Sequence, residues 1–148
     1  PAYNVRNTEI GAIIGRSQLK RLDENNKLRN LNHKLFLDNL DTKRYRTNFR
    51  LDGCSNYALN LILQEADTTF TEKLMKRMSD EKIEFRRGSA GGGNQLRQPY
   101  LRKIMGDTNQ NFPEVDHIHF HGFYIGNFPS LEEGKIIKSL KNKTSKAV

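Results

Sequence analysis

The sequence predicts an α+β fold: a small three-stranded, mainly antiparallel sheet packed with helices on one face. Three observations lead there. Apolar residues recur at helical spacing over the first forty positions, with no strand pattern among them. YALNLIL at 57–63 alternates at the period of a strand, and IEFRR at 83–87 and DHIHFHGFYIGN at 116–127 supply two further strands. Capping patterns, Thr69 with Glu72 and Ser130 with Glu133, open helices after the first and third of these strands.

Taken in order, Asn7 or Thr8 caps a helix that begins at Glu9, whose acidic side chain suits a first turn. Ile10, Ile13, Ile14, Leu19 and Leu22 form its apolar face. Leu28, Leu31, Leu35 and Phe36 form a second face reaching about Asn39, with the polar DENN at 23–26 as the bend or break. The connector DTKRYRTNFRLDGCSN at 41–56 has no assignable pattern. After the first strand, TEKLMKRMSDEK is a short helix turning Leu74, Met75 and Met78 inward. The second strand runs straight into a glycine-rich loop. Asn109, Asn111 and Pro113 mark a further loop before the third strand, and a final helix extends through Leu140.

Composition excludes several function classes. In 148 residues there is one cysteine, Cys54, so no internal disulfide is available and a reducing cytoplasmic setting is expected. No apolar run approaches the length of a membrane span. The net charge of +8 invites a nucleic-acid reading, yet 25 basic residues are interspersed with 17 acidic ones. Scattered charge of this kind reads as solvated surface, and nucleic acid is not the expected partner. The sequence opens PAYNVRNTEIG, without methionine, and the expectation is a domain excised from a longer protein.

The stretch RRGSAGGGNQLRQPY at 86–100 carries the strongest chemical signal. Gly88 and Gly93 have phosphate-loop spacing, but Asn94 and Gln95 stand where Lys and Ser or Thr are required. Pro99 falls where the following helix should start. The dinucleotide fingerprint also fails. What survives is a turn flanked by Arg86, Arg87, Asn94, Gln95, Arg97 and Gln98, with forks suited to phosphate oxygens and glycines that let a ligand approach the backbone. The plainer alternative, a solvated loop, stays open beside it.

On the strand read over 116–127, His117, His119 and His121 share one face, beside Asp116. Three imidazoles on one strand make a poor tetrahedral shell, so hydrogen-bonded or substrate-facing histidines are expected and no metal. Ser89 lies outside a GxSxG elbow, and Cys54 has no nucleophile signature. No catalytic residue is assignable.

The residues so collected resemble the C-terminal part of the DegT/DnrJ/StrS sugar aminotransferase family, enzymes dependent on pyridoxal phosphate (PLP). YNVRNTEIGAIIGRSQLKRLDE is similar to the family's segment leading from the cofactor domain into its first helix. FYIGNFPSLEEGKIIKSL resembles the family's closing strand, proline turn and last helix, and FRRGSAGGGNQLRQPYLRK resembles the sugar 3-dehydratase branch that makes colitose and 3,6-dideoxyhexose precursors. The resemblance implies the C-terminal small domain of a fold-type I PLP enzyme. Helical segments at 1–40 would follow a cofactor domain, 56–142 would form the α+β subdomain, and 143–148 would be a frayed tail.

It further implies a nucleotide-linked 4-keto-6-deoxy sugar as substrate, either transamination or 3-dehydration as the reaction, pyridoxal or pyridoxamine phosphate as cofactor, and a homodimer, with this domain supplying substrate enclosure and dimer contacts. Asn4 is the expected contact to the cofactor phosphate of the neighbouring subunit. Arg87, Asn94, Gln95 and Arg97 are the candidates to line the sugar-nucleotide site. The aldimine lysine, or the histidine that replaces it, lies upstream in the family. These 148 residues alone are therefore expected to be inert and to hold no cofactor tightly. The competing class is a freestanding module that holds an anion or sugar nucleotide without turnover.

Overall fold

Thr8 opens the first helix, α1 (Glu9–Leu19), by accepting the Gly11 amide on Oγ1 at 3.2 Å. The computed structural model describes residues 8–88, 93–106 and 111–131. Asn7, the alternative cap, is outside them, as is most of the helix expected from Ser130 to Leu140 and the tail at 143–148. The helix is interrupted at Lys20 and Arg21, and α2 runs over Leu22–Asp38. DENN therefore does not interrupt a helix. Asp23 and Glu24 sit in the first turn of α2, where carboxylates favour the positive end of the helix dipole. The burial of α2 falls on Asn32, His33, Phe36 and Leu37.

The connector then runs back along the sheet. Arg46 donates its amide to the Ile62 carbonyl, Gln64 donates to Arg44, and Tyr45 bridges Leu63. Tyr45 is buried, and that burial pushes its phenol up to about 12.

Three strands follow: β1 (Ala58–Ile62), β2 (Phe85–Arg87) and β3 (Gly122–Gly126). Their order is β1-β3-β2 with both pairings antiparallel, as expected from the alternating segments. Leu59 and Leu61 face Ile125 and Phe123 across the first pair. Phe85 meets Phe123 edge to face at 5.7 Å between ring centroids. Phe36, Leu37 and Leu40 from α2 and its end close this face, together with Leu74 and Met78 from α3 (Thr68–Asp80).

The start of α3 differs from the Thr69–Glu72 expectation. Asp67 is the cap, accepting the Phe70 amide at 2.8 Å, because an ionised carboxylate serves the helix end better than the neutral threonine hydroxyl two positions on. Leu74 and Met78 are buried, while Met75 is partly buried against the core. The helix ends in a Schellman turn: Ile83 donates to Met78 and Lys82 to Ser79, with Lys82 at φ 57°.

Residues 113–121 overturn the third strand as read from sequence. They form a helix, α5 (Pro113–His121), and β3 begins only at Gly122. Pro113 occupies the first turn with Glu114 and Asp116, whose carboxylates suit the positive end of the dipole, and His119 and His121 occupy the last turn. Gly122 permits the abrupt change to strand, since a Cβ there would lie 2.5 Å from the Ile118 carbonyl oxygen. Pro113 is thus a helix start and no longer a loop residue. Pro99 likewise opens a short helix, α4 (Pro99–Met105), at the first-turn position where proline costs no hydrogen bond.

Asn127, 2% exposed, closes the structure beyond β3. Its Nδ2 donates to the Arg29 and Asn56 carbonyls at 3.0 and 2.9 Å, and its Oδ1 accepts from Asn32. One amide thereby joins α2 to the ends of β1 and β3.

Candidate functional site

Alternation along β2 sends Arg86 and Arg87 to opposite faces of the sheet. Arg87 points toward α3 and α5. Its guanidinium donates to the Phe120 carbonyl at 2.5 Å, contacts the Met75 sulfur at 3.3 Å and lies 5.4 Å from the centroid of the Phe123 ring. This expected ligand contact is thus engaged in joining four elements of the fold.

Beyond it, Gly88 and Gly93 approach each other, with the Gly93 amide donating to the Gly88 carbonyl at 3.1 Å. Both pack against His119. A Cβ on Gly88 would fall 2.8 Å from its Nδ1, and one on Gly93 closer still. The pair therefore closes around an imidazole, which fills the space a phosphate cradle would need.

Residues 93–97 form an arm laid on α5. The Asn94 amide donates to His119 Nδ1 at 3.2 Å, and Asn94 Nδ2 donates to Asp116 Oδ1 at 2.8 Å. Arg97 grips the same carboxylate with two bonds, Nε to Oδ1 at 2.8 Å and Nη2 to Oδ2 at 2.9 Å. Its guanidinium also lies 4.8 Å from the centroid of Phe120. Asn94 Oδ1 accepts the Leu96 amide, starting a single 3-10 turn over Gln95–Arg97. Gln95 Oε1 accepts from Tyr100 Oη.

Of the expected substrate residues, Asn94 and Arg97 thus meet on Asp116, Gln95 turns to α4, and Arg87 lies on the inner side. Asn4 falls outside the described residues.

The electrostatics follow this geometry. Hydrogen bonds from Arg97, then Asn94, hold the Asp116 carboxyl well below the usual carboxylate range, and the same contact raises Arg97. Burial, then the Arg97 charge, lowers the pKa of His119. Accepting from an amide at Nδ1 requires a ring whose proton is on Nε2.

The other two histidines have structural partners. His117 Nε2 donates to the Leu63 carbonyl at 2.7 Å. Thr71 gives its one hydroxyl proton to the Asp67 carbonyl, so His121 Nδ1 must donate to Thr71 Oγ1, at 2.9 Å. All three histidines are hydrogen-bonded, on a helix and not on the strand face expected. No group of three His, Cys, Asp or Glu side chains among the described residues could hold a metal.

Sequence reasoning saw Asp116 and His119 but not their job. Pro113, with acidic residues in the turn after it, was the signal that would have placed both on a helix at a spacing of three.

A separate groove of about 530 Å³ opens at the end of the sheet, lined in part by Phe36, Leu59, Ile83, Phe85, Ile125 and Leu131. It is chiefly apolar, and the arm does not line it.

The fold and the arm together define a small α+β domain that presents guanidinium and amide donors. Residues 1–141 match the DegT/DnrJ/EryC1/StrS aminotransferase family, and the chain belongs to it. It is 28% identical over 144 residues to a GDP-4-keto-6-deoxy-D-mannose 3-dehydratase of Yersinia pseudotuberculosis, covering 96% of this chain and 36% of that protein. A protein of the same name from Escherichia coli O55:H7 is 26% identical over 129 residues, covering 86% and 33%.

Among solved structures, E. coli GDP-4-keto-6-deoxy-D-mannose-3-dehydratase with bound hydrated PLP superimposes with a TM-score of 0.80 at 25% identity, over 96% of this chain and 36% of that one. A mutant GDP-4-keto-6-deoxymannose-3-dehydratase with bound GDP-perosamine gives the same values. A third structure of this enzyme, holding a PLP-glutamate geminal diamine, has the same fold, with a TM-score of 0.82 at 24% identity over 95% and 36% of the two chains. The chain spans about a third of the length of the relatives it matches.

Proposed function

We propose that this chain is the C-terminal part of a PLP- or PMP-dependent enzyme acting on a nucleotide-linked 4-keto-6-deoxy sugar, with 3-dehydration favoured over transamination. The observation that carries the reading is similarity to GDP-4-keto-6-deoxymannose 3-dehydratases along nearly the whole chain. Segment 1–40 would follow the cofactor domain, and 56–142 would be the α+β subdomain.

The described residues do not themselves fit the cofactor: their one phosphate-like glycine pair is closed on His119. Cofactor and reaction centre therefore belong to the remainder of the enzyme, with Asn4 the candidate contact from this chain to the cofactor phosphate. The part played by the arm is substrate enclosure. Arg97 and Gln95 offer outward donors to a nucleotide-sugar, while Asn94 holds the arm on α5 and Arg87 ties β2 to the body of the domain.

A homodimer in the cytoplasm completes the proposal, with α1 as a contact helix. Ile10, Ile13, Ile14 and Leu19 are 56–72% exposed, and no residue of α1 is buried, which is the pattern of a face covered in a larger assembly. No described helix is long and apolar enough to cross a membrane.

The test is incubation of the full-length enzyme with GDP-4-keto-6-deoxymannose, PLP and glutamate. A 3-deoxy sugar product is expected; stoichiometric amino sugar would make it an aminotransferase; neither product from any keto sugar would overturn the enzyme reading. The second reading, a binding module without turnover, draws on the lack of a paired nucleophile and base among the described residues. It requires the isolated chain to bind a sugar nucleotide and to lose that binding on Arg97→Ala.

A further inference from the structure

The hold of the arm on the domain passes through one face of α5, where Asp116 and His119 stand one turn apart. Asp116 takes the side chains of Asn94 and Arg97, and His119 takes the backbone of Asn94. Only the second contact depends on an unprotonated acceptor in the range where imidazole titrates. The groups facing this ring are Asp116 from its own helix, Arg87 from β2, Arg97 from the arm and, edge to face, the Phe120 ring. Gly88 and Gly93 pack on the same nitrogen, so the ring is enclosed where it accepts.

We propose that His119 is a positioning residue that sets the arm at 93–97 as a neutral hydrogen-bond acceptor, and that its protonation releases the arm. A proton on Nδ1 would set one N–H against another across 3.2 Å. If the ring turned to give that proton to Asp116, it would compete with Arg97 for the carboxylate. Both responses disturb the 3-10 turn that carries Gln95 and Arg97. Burial and the two arginines oppose protonation, and Asp116 favours it. The balance lies toward the neutral ring, so release belongs below the ordinary imidazole range. The consequence for substrate rests on the sugar-nucleotide reading: affinity would fall with acid as the arm loosens.

The test measures hydrogen exchange at the Asn94 amide in the full-length enzyme without ligand, after correction for the intrinsic pH dependence of exchange. Between about pH 7.5 and about pH 5 the corrected rate is expected to rise about tenfold, the scale of one lost hydrogen bond. His119→Asn keeps an acceptor near Nδ1 that cannot titrate, and should retain protection at both pH values. His119→Phe keeps ring volume without the acceptor and should lose protection at both. A corrected rate indifferent to pH in the wild-type protein, or full protection in His119→Phe, would overturn the proposal. Since no substrate enters the measurement, its failure is distinct from failure of the sugar-nucleotide reading.

Discussion

The body of the domain and the arm on α5 are held by opposite chemistry. Phe36, Leu59, Leu61, Leu63, Leu74, Met78 and Phe123 are each at most 5% exposed and enclose almost no charge. The arm is held by an amide–imidazole bond, a carboxamide and a two-pronged ion pair, whose Arg97 side chain is 38% exposed. Apolar burial resists salt and acid, whereas exposed ion pairs are screened by one and discharged by the other. The body should therefore persist under conditions that free the arm.

The largest expected effect breaks the body. Phe36→Ala should cost about 3–5 kcal/mol in urea unfolding, through lost burial and a cavity beneath the sheet. Asn127→Ala comes next, at about 2 kcal/mol, because the Arg29 and Asn56 carbonyls lose their donor.

Acid should loosen the arm and also draw on the body, through its buried His33 and His121. Burial lowers the pKa of His33, His119 and His121 from 6.5, so the unfolded chain takes up protons first. The stability these rings contribute is complete above about 6.5 and is lost as pH falls toward their folded values. Unfolding midpoints should drop over that interval, less steeply in His119→Asn. The Asp116 contribution is lost further down, starting at the ordinary carboxylate value, where the unfolded chain protonates, and continuing below it.

Asp116→Asn should change global stability by less than about 1 kcal/mol, since the pair is partly exposed, yet speed tryptic cleavage after Arg97. The smallest effect is that of Ile13→Glu on the chain alone, within about 0.5 kcal/mol, because its side chain lies on a face left exposed among the described residues. A large loss there would show that α1 packs on the domain after all.

Much of the fold was legible because its signals are local. Thr8 precedes the Glu9 helix by one position, and Tyr57, Leu59, Leu61 and Leu63 alternate along the seven residues around β1. The failures were places where one pattern admits two readings. HIHFH has the period of a strand, but His117 and His121 are also neighbours across one helical turn, their ring centroids 5.3 Å apart. Asp67 and Thr69 both suit a cap, and the choice between them turned on charge at the helix end.

For the site, the sequence named the arginines and amides but not their partners. Composition and order determined the α+β class, the helix on either side of β1, and the family to which the chain belongs. Only the tertiary structure decided that Arg97 spends two of its donors on a carboxylate 19 residues away, and that Gly88 and Gly93 close on an imidazole. Periodicity is written between neighbours along the chain. Ion pairs and close backbone approaches arise between segments brought together by burial, and the sequence of either segment does not specify which partner it will meet.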